Sequence, residues 1–320
     1  MGDALAGPSP GRVVSGRIVV LGVFVADTTF RSDRMPRTGE TILGRSFALG
    51  PGGKGSNQAV AAARAGGDAH MLTKIGRDPF GAMALALWRE AGVTSAASEH
   101  DEATGAAFIH VDDATGDNAI IVCPGVAGTL SPADVEARAD LVAGASVLLC
   151  QLEQPIDAAL RALEIAREGG TTTILNPAPA AELPDGMLAL CDWVTPNESE
   201  AEALTGLAVG SPDEAERAAD ALRERGAGAA VITLGERGAL LSHHRGAELV
   251  PAVRAGPVAE TTGAGDAFNG AFATALARGD APADAVRFGC ATAGLSVTRR
   301  GAAASMPTLD EIEAVLAGSS

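Results

Sequence analysis

The chain has 320 residues, of which 47% are hydrophobic and 20% charged, enough apolar material for a substantial core in one large α/β domain. Forty Asp and Glu against 24 Lys and Arg give a formal net charge of −16, the wrong sign for nucleic acid or an anionic membrane, so we expect neither as a partner. Tyrosine is absent and aromatic residues make up 3% of the chain, which argues against stacking platforms and aromatic cages and favours a small-molecule ligand.

The cysteines and the N-terminal segment favour a cytoplasmic protein. Cys123, Cys150, Cys191 and Cys290 are far apart, form no C-x-x-C pair and lie mostly in apolar runs, so we predict reduced core residues. Residues 1–16 lack the apolar region of a signal peptide, and no later stretch reaches the roughly 18 apolar residues of a membrane span. We therefore predict a cytoplasmic location and a disordered N-terminal arm over residues 1–16.

The first predicted strand is the β-branched run RIVVLGVFV at residues 17–25. Its continuous apolar character is typical of a strand buried on both faces of a parallel sheet. Asp27 follows at once, and ligands of open α/β sheets bind beyond the carboxyl ends of strands. Asp27 is therefore a candidate ligand contact, unless it only stabilises the turn that leads to Thr28.

A glycine-rich segment, GPGGKGSN, precedes a helical pattern. Gly50, Gly52 and Gly55 match the dinucleotide-binding pattern G-x-G-x-x-G, but the match does not follow the first strand, and Lys54 would crowd a pyrophosphate turn. The segment is not a Walker A loop either, because Lys54 is followed by glycine rather than Ser or Thr. We expect the segment to approach a polar ligand closely, with Lys54 and Asn57 as donors.

Two segments interrupt the alternation of strands and helices and predict a small second sheet. Residues 38–48 have a short β-like alternation, typical of an edge strand or part of a flap. Residues 105–122 contain two strand-like runs joined by ATGD, which is a hairpin signal. These strands would form a lid over the ligand site. The exposed face of such a lid is most simply covered by a second subunit, so we predict a homodimer.

From residue 131 onwards helices and strands alternate regularly, which predicts a doubly wound α/β fold. Glu153 and the segment NESE, which begins at Asn197, follow two of the strands at the ligand-binding end. Asn197 and Glu200 have the spacing of a capping box. Their position after a strand also makes Glu200 a candidate to hold a magnesium-bound water. The run VITLGERG ends a further strand in a glycine turn suited to a nucleotide.

The segment TTGAGDAFNG near the C-terminus predicts an anion site with a base. Gly263 and Gly265 allow a loop that leads directly into a helix. The first N–H groups of a helix have no partner within it and carry the positive end of its dipole, so they suit a transferring phosphoryl group. Asp266 would take a proton from a substrate hydroxyl. Taken alone, the motif is explained more simply by an Asp N-cap.

These motifs together resemble the two signatures of the ribokinase-like family of sugar kinases. GPGGKGSNQAVAAARAG carries the first and TTGAGDAFNG the second, and LEQP, LNPAPAAELP, TPNESEAEALTG, ITLGERG and VTRRGA occur in the family's order and at similar spacing. The resemblance implies one kinase domain over residues 17–320. Its expected fold is a doubly wound, mostly parallel α/β sheet flanked by helices, with the small lid inserted.

The activity that the resemblance implies is ATP-dependent transfer of the γ-phosphoryl group to the hydroxymethyl oxygen of a pentose, with ribose as the leading substrate. The implied catalytic groups are Asp266 as base and the amides of Gly263, Ala264 and Gly265. The implied substrate contacts are Val25, Asp27, Gly53, Lys54, Gly55, Ser56, Asn57, Glu153 and Asp266. The implied ATP contacts are Asn197, Thr233, Leu234, Gly235, Glu236, Arg237, Gly238, Gly265, Asp266 and Cys290. The implied ions are Mg²⁺, through Glu200 and a water, and K⁺, through Glu260, Thr262, Ser296, Arg299, Gly301 and Ser305.

Two positions depart from the family's pattern. Val25 stands where the family generally has an Asn two residues before the sugar-binding Asp, and valine offers no side-chain hydrogen bond. Glu260 replaces the usual Asp at the start of the cation site and is one methylene longer. The choice of sugar and the response to potassium therefore depend on these two residues.

Three other functions stay open at this stage. A related kinase would act on fructose, a keto-deoxy sugar acid or a nucleoside. A sugar or nucleotide sensor without catalysis is disfavoured because Asp266, Lys54 and the anion-loop glycines are all present. A dinucleotide-linked oxidoreductase rests only on the glycine pattern at residues 50–55.

Overall fold

The structure, a computed structural model, describes residues 16–318, so the arm predicted for residues 1–16 falls outside the described residues except for its last one. The strands are β1 (Arg17–Leu21), β2 (Val25–Ser32), β3 (Ser46–Gly52), β4 (Asp68–Leu72), β5 (Lys74–Gly76), β6 (Thr94–Ser95), β7 (Ser98–His100), β8 (Thr104–Asp112), β9 (Asn118–Gly125), β10 (Val147–Cys150), β11 (Thr172–Leu175), β12 (Trp193–Val194), β13 (Ala229–Thr233), β14 (Ala239–His243) and β15 (Gly246–Val250). The helices are α1 (Lys54–Arg64), α2 (Pro79–Ala91), α3 (Pro132–Glu136), α4 (Ala139–Ala143), α5 (Ile156–Gly169), α6 (Glu198–Thr205), α7 (Pro212–Glu224), α8 (Ala264–Arg278), α9 (Pro282–Ser296) and α10 (Leu309–Gly318).

The main sheet has the strand order β15-β14-β13-β12-β11-β10-β1-β4-β6 within residues 16–318. The strands from β6 to β13 in this order pair parallel, whereas β14 and β15 pair antiparallel. Ile18 and Val20 of β1 enter one core cluster and Val19 and Leu21 the other, because successive side chains of a strand point to opposite faces. Helices α1, α2, α8, α9 and α10 cover one face and α3 to α7 the other. The predicted doubly wound α/β fold is confirmed.

The predicted first strand, residues 17–25, is wrong in extent, since the structure divides it in two. β1 ends at Leu21 in the main sheet, and Val25 already belongs to β2, which is a strand of the small sheet. A Cβ atom on Gly22 would lie 2.7 Å from Cα of Gly55, so glycine is needed where the chain passes α1. Phe24, between the two strands, is fully buried with its ring edge-on to Trp88. The run is therefore apolar throughout although it is not one strand.

The small sheet, called the lid below, has the order β3-β2-β8-β9. Its hairpin, β8 and β9, occupies the region where the sequence indicated one. The edge strand expected at residues 38–48 exists as β3 but is wrong in extent, because β3 begins only at Ser46 and continues into the glycine-rich segment. Residues 38–45 form an irregular loop. In this loop the Glu40 carboxylate accepts hydrogen bonds from the Arg34 guanidinium and from the backbone N–H of Arg37, which folds the segment away from an extended conformation.

The cysteines divide into two environments. Cys150, Cys191 and Cys290 are buried and free, as predicted, but Cys123 is exposed. The prediction fails for Cys123 because it lies on β9, the outer strand of the lid, whose residues are all exposed. Among residues 16–318, no helix has both the length and the apolar character needed to cross a membrane.

Candidate active site

Polar residues collect at one edge of the main sheet. Glu153 follows β10, Asn176 follows β11, Asn197 follows β12 and Thr233 ends β13. Parallel strands point the same way, so their carboxyl ends form a common edge, which is where α/β sheets bind ligands. The N-termini of α1 and α8 meet at this edge, and side chains from their first turns are hydrogen-bonded to each other.

The anion loop, residues 261–266, leads directly into α8. Gly263 is the N-cap with φ of 80°, and no side chain caps the helix. A Cβ atom on Gly263 would lie 3.0 Å from Ala302, so both its conformation and its packing favour glycine. The N–H groups of Gly263, Gly265 and Asp266 have no hydrogen-bond partner among residues 16–318, whereas the N–H of Ala264 donates to Thr261 O. Of the three implied catalytic amides, that of Ala264 is therefore not free.

Asp266 is the third residue of α8, so its interpretation as a plain N-cap is wrong. Its carboxylate is buried and accepts a hydrogen bond at each oxygen. Asn57 Nδ2 lies 3.0 Å from Oδ2, and Gln58 Nε2 lies 3.0 Å from Oδ1. Burial raises the pKa of Asp266, while the Lys54 charge and the two amide donors oppose the rise. The result is a fixed carboxylate with more basic character than an exposed one.

The start of α1 is packed tightly against the chain that connects β1 to β2. Gly53 is the N-cap, with φ of 89°, and a Cβ atom on it would lie 2.6 Å from Val23 O. Gly55 abuts Gly22, as described above. Ser56 is fully buried and accepts a hydrogen bond from Trp88 Nε1 at 2.9 Å. The Gly55 backbone and the Ser56 side chain are therefore packed against the interior, and Ser56 offers no exposed hydroxyl to a ligand.

Three side chains near Asp266 carry at least one oxygen that receives no hydrogen bond within residues 16–318. Asn57 Oδ1 is buried without a hydrogen-bond partner. The Asp27 carboxylate has none either, and burial raises its pKa to about 6. Glu153 accepts from the backbone N–H of Lys54 through Oε2 alone, and burial raises its pKa as well. Unpaired buried acceptors are costly, so this group of side chains suits a ligand with several hydroxyl donors.

Asp27 and Val25 lie on the lid strand β2, not in a loop after the first strand. The turn interpretation of Asp27 is thus wrong, because Asp27 pairs with Gly50 and Ala107 inside the sheet. Being two residues apart, Val25 and Asp27 point to the same face of the strand. Val25 is 5% exposed. The lid therefore brings one acidic and one apolar side chain to the same face of the sheet.

The nucleotide-associated positions lie around the end of β13. Asn197 caps α6 and forms a reciprocal capping box with Glu200. Gly238 could not carry a Cβ atom, which would lie 2.0 Å from Val250 O. The Arg237 guanidinium binds Glu198 and the Gly210 carbonyl. Of the remaining positions, Thr233 is half-buried at the end of β13, and Gly235 and Glu236 are exposed. The side chains of Leu234 and Cys290 are buried. The side chains of Leu234 and Arg237 are thus committed to the protein rather than free for a ligand.

Glu200 is the candidate magnesium residue. Its Oε2 accepts from the backbone N–H of Asn197, and its other oxygen accepts no hydrogen bond from the described part of the chain. Burial raises the pKa of Glu200, and the Lys54 charge opposes the rise. No cluster of three or more His, Cys, Asp or Glu residues that could hold a metal occurs in residues 16–318. One free carboxylate oxygen fits a magnesium ion held through water and phosphate oxygens, as is usual for this ion.

Glu260 and residues 297–305 pack beside the anion loop, since the Glu260 N–H donates to the Val297 carbonyl and Gly263 lies against Ala302. Glu260 Oε2 accepts from the Gly301 N–H at 3.0 Å, so the extra methylene of Glu260 brings its carboxylate to that turn. The Ser305 and Ser296 hydroxyls donate to the carbonyls of Ala302 and Ala293. Of the other implied cation residues, Thr262 is exposed, and the Arg299 guanidinium pairs with Glu311. A carboxylate, hydroxyl oxygens and backbone carbonyls fit a monovalent cation here, whereas the Arg299 side chain does not.

Sequence reasoning missed a set of buried polar residues below Asp266. These are Gln58, Gln151, Asn176, Thr195 and Asn269, each at most 6% exposed. The available signal was position: Gln151, Asn176 and Thr195 directly follow strands of the main sheet, and Gln58 directly precedes the apolar run at residues 59–63 of α1. Polar groups at such places need partners, and the fold supplies at least one to each of these side chains, although Gln151 Oε1 receives no hydrogen bond within residues 16–318.

The site combines a buried base at a helix N-terminus, free N–H groups and unpaired acceptors for hydroxyl groups. This combination is that of a kinase that acts on a polyol. A family model described as pfkB family carbohydrate kinase matches residues 15–309, and the chain belongs to that family. The chain is similar to a ribokinase of Haemophilus influenzae, with 38% identity over 296 residues, 92% of this chain and 96% of the relative. It is also similar to a deoxyribokinase of Salmonella typhi, with 35% identity over 302 residues, 93% of this chain and 98% of the relative.

A solved structure of Arabidopsis thaliana ribokinase complexed with ribose and ATP matches with a TM-score of 0.87 and 27% identity, covering 95% of this chain and 99% of that one. The resemblance noted in the sequence is thereby confirmed, and so is the predicted fold.

Proposed function

We propose that the protein transfers the γ-phosphoryl group of ATP to the hydroxymethyl oxygen of ribose, giving ribose 5-phosphate and ADP. The observation that carries this proposal is the buried carboxylate of Asp266 in the first turn of α8, beside the free N–H groups of Gly263 and Gly265. Phosphoryl transfer to a hydroxyl needs both a base and stabilisation of charge on the phosphate. The similarity to ribokinases supports the choice of substrate and of phosphoryl donor.

In the proposed step, Asp266 takes the proton of the sugar's hydroxymethyl group as its oxygen attacks the γ-phosphorus. The bond from phosphorus to the β,γ-bridging oxygen breaks, and ADP leaves with that oxygen. The free N–H groups at the start of α8 stabilise the charge on the transferring group. Asn57 and Gln58 hold the carboxylate, and the Lys54 charge opposes the rise in its pKa that burial causes.

Sugar binding satisfies the unpaired acceptors. Hydroxyls of the sugar donate to Asp27, to Oδ1 of Asn57 and to Glu153. The raised pKa of Asp27, about 6, supports this assignment, because a hydroxyl that donates to the carboxylate favours its charged form and lowers the pKa again. A furanose pentose presents several neighbouring hydroxyls of the required kind.

A second candidate substrate, 2-deoxyribose, is favoured by Val25. This apolar side chain shares a face of β2 with Asp27 and offers no hydrogen bond to a hydroxyl. A sugar with a hydrogen in place of one hydroxyl loses nothing at such a residue. The similarity to a deoxyribokinase supports this second candidate. Ribose stays the first because Asp27, Asn57 and Glu153 can still receive its hydroxyls.

Two cations complete the proposed reaction. Glu200 would hold Mg²⁺ through a water, and this ion would neutralise charge on the β- and γ-phosphates. K⁺ would bind beside the anion loop, with oxygens from Glu260, Ser305 and the carbonyls near Gly301. The packing of Gly263 against Ala302 supports a link between this segment and the free N–H groups.

We also propose a homodimer that forms through the lids, in the cytoplasm. Phe30, Phe47, Leu49 and Ile121 are all at least 40% exposed, and the centre of the Phe30 ring lies 5.0 Å from that of Phe47 and 5.6 Å from that of Phe108, with tilted ring planes. By strand alternation and register these side chains share the face of the lid opposite to Asp27. An apolar patch of this kind, flanked by the sheet edge β9, favours a partner with the same surface.

A substrate panel tests the proposed function. The protein is incubated with Mg-ATP, K⁺ and one of ribose, 2-deoxyribose, fructose, a keto-deoxy sugar acid or adenosine, and ADP release is followed. We expect ribose to be phosphorylated at millimolar concentration. ADP release that no sugar increases would favour the sensor, and a response to fructose or adenosine but not to ribose would refute the pentose assignment.

A further inference from the structure

Gln58 lies at the centre of a buried hydrogen-bond network that ends on Asp266. Its side chain is fully buried, its Nε2 lies 3.0 Å from Asp266 Oδ1 and 3.0 Å from Asn176 Oδ1, and its Oε1 accepts from Gln151 Nε2. We propose that Gln58 is a positioning residue for phosphoryl transfer, oriented by Gln151, which holds the Asp266 carboxylate toward the sugar's hydroxymethyl group. This inference rests on the proposed function, in which Asp266 is the base.

The direction of each hydrogen bond in the network follows from the carboxylate. An ionised Asp266 only accepts, so the NH₂ group of Gln58 must face it, and Oε1 of Gln58 then faces Gln151. Gln151 must in turn present its own NH₂ group to Gln58. The hydrogen bond from Gln151 thus fixes the orientation of the Gln58 amide. A flipped amide would place its oxygen against the Asp266 carboxylate.

A second chain of hydrogen bonds connects Gln58, through Asn176, to the start of α8. Asn176 Nδ2 donates to the Thr195 carbonyl, the Thr195 hydroxyl donates to Asn269 Oδ1, and Asn269 Nδ2 donates to the Gly265 carbonyl. Gly265 immediately precedes Asp266. The base and the anion loop are therefore fixed to the ends of β11 and β12 and to each other, as catalytic groups must be if their relative position is to stay constant.

Gln58 differs from Asn57, the other donor to Asp266. Asn57 still has an unpaired Oδ1 and is proposed to receive a sugar hydroxyl, so sugar binding acts on its amide directly. Gln58 has no exposed surface and makes all its hydrogen bonds within the protein. It is therefore the donor that keeps Asp266 in place independently of the sugar.

The charged groups that influence Asp266 come from three other places. Lys54 on α1 lowers the pKa of Asp266, while Glu153 after β10 and Glu200 on α6 each interact with its charge. None of these residues changes when Gln58 is replaced. Removal of the Gln58 donor takes away a hydrogen bond to the charged form, so the pKa of Asp266 rises further, and the acid limb of kcat/KM moves to higher pH.

The test compares Gln58→Met and Gln151→Met with Thr274→Val. Methionine nearly preserves the volume of glutamine and removes the amide, and Thr274 is a buried residue of α8 whose hydroxyl bonds only to the Ala62 and Gly270 carbonyls. We expect kcat of Gln58→Met to fall about tenfold or more at neutral pH, as for a misplaced catalytic group, with partial recovery at higher pH and an unchanged KM for ATP. Gln151→Met should change kcat and the acid limb of kcat/KM in the same direction, but by less. Thr274→Val should lower the thermal stability and leave both kinetic quantities unchanged.

The outcomes separate the inference from the proposed function. A wild-type protein that phosphorylates no sugar contradicts the proposed function, and the inference falls with it. An active wild type with a folded Gln58→Met that keeps kcat and the acid limb within twofold overturns the inference alone. If Gln58→Met does not fold, Gln151→Met decides in its place, since a loss of stability with an unchanged pH profile would show a purely structural role.

Discussion

Replacement of Asp266 by Asn removes the proposed base and changes the shape of the side chain very little. Asn has nearly the same shape, but its amide cannot take a proton from the sugar hydroxyl at neutral pH. Loss of a general base typically costs about 10²–10⁴ in rate, which is about 2.7–5.4 kcal/mol of transition-state free energy. We therefore expect Asp266→Asn to lose nearly all turnover while ATP binding is retained.

The same substitution has a calculable effect on stability. Asn57 Nδ2 and Gln58 Nε2 each donate to one oxygen of Asp266 at 3.0 Å. An asparagine keeps one acceptor, and its NH₂ group faces the other donor, so one buried donor loses its partner at about 1–3 kcal/mol. Removal of a buried charge, whose pKa burial had raised, offsets part of this loss. The net change is small beside the 5–15 kcal/mol stability of typical domains, so the variant should fold.

The assay for Asp266→Asn is single-turnover ADP formation, together with calorimetric ATP binding and a thermal melt. Asp284→Asn is a matched control, because Asp284 occupies the equivalent third position of the neighbouring helix α9 and makes no contact with the site. We expect the control to retain wild-type turnover. If Asp266→Asn kept a quarter of wild-type turnover while chemistry limits the rate, Asp266 would not be the base.

Three further predictions concern the sugar, the cation and the assembly. Val25→Asn should lower the KM for ribose several-fold, since a new hydrogen bond to a hydroxyl is worth about 0.5–1.5 kcal/mol. K⁺ should raise turnover more than Na⁺ does, in the wild type and in Glu260→Asp, because the cation stabilises the segment that packs on Gly263. Light scattering at micromolar concentration should give twice the 31.9 kDa of one chain, and Phe47→Asp should shift the protein toward monomer.

Each of these three predictions has a result that would contradict it. A KM for ribose that is equal or higher in a folded Val25→Asn, with the KM for 2-deoxyribose unchanged, would remove Val25 from the sugar site. Equal rates in K⁺ and Na⁺ for both proteins would remove the cation site. A wild-type monomer would refute the lid dimer. Leu249→Asp is the control for Phe47→Asp, because Leu249 is an exposed apolar residue of β15, away from the lid.

Much of the site could be predicted because each functional group is encoded in a short contiguous motif. Gly263, Gly265 and Asp266 lie within one turn, so the sequence indicates a glycine-rich helix start with a carboxylate beside it. Only the agreement of several motifs made Asp266 more than a candidate N-cap. The core strands could be predicted for a similar reason. A strand such as β10, buried at every position, needs an uninterrupted apolar run, and the sequence shows one.

The elements that were mispredicted depend on contacts between distant parts of the chain. The break between β1 and β2 follows from the approach of Gly22 to Gly55, and no local signal marks it because Phe24 is as apolar as a strand residue. The start of β3 is set by its register with β2, not by its own composition. A pattern of hydrophobicity reports burial, and in these segments burial and strand extent differ.

The network below Asp266 was missed for the same reason. Gln58, Gln151 and Asn176 are separated by long stretches of chain, and each one alone resembles an ordinary polar residue at the end of an element. Only the parallel sheet, which places the ends of β10, β11 and β12 side by side, brings these side chains to α1. Their role could be inferred only from the hydrogen bonds that join them.

The central claim, phosphoryl transfer to a sugar hydroxymethyl group with Asp266 as base, is tested most directly by the product. Wild type and Asp266→Asn are incubated with ribose and Mg-ATP, ADP is quantified, and phosphorus NMR identifies the phosphorylated oxygen. We predict one ADP for each ribose 5-phosphate with the wild type, and almost no product with the variant. A phosphate on another hydroxyl, ADP formed without sugar phosphate, or equal product from the two proteins would contradict the account.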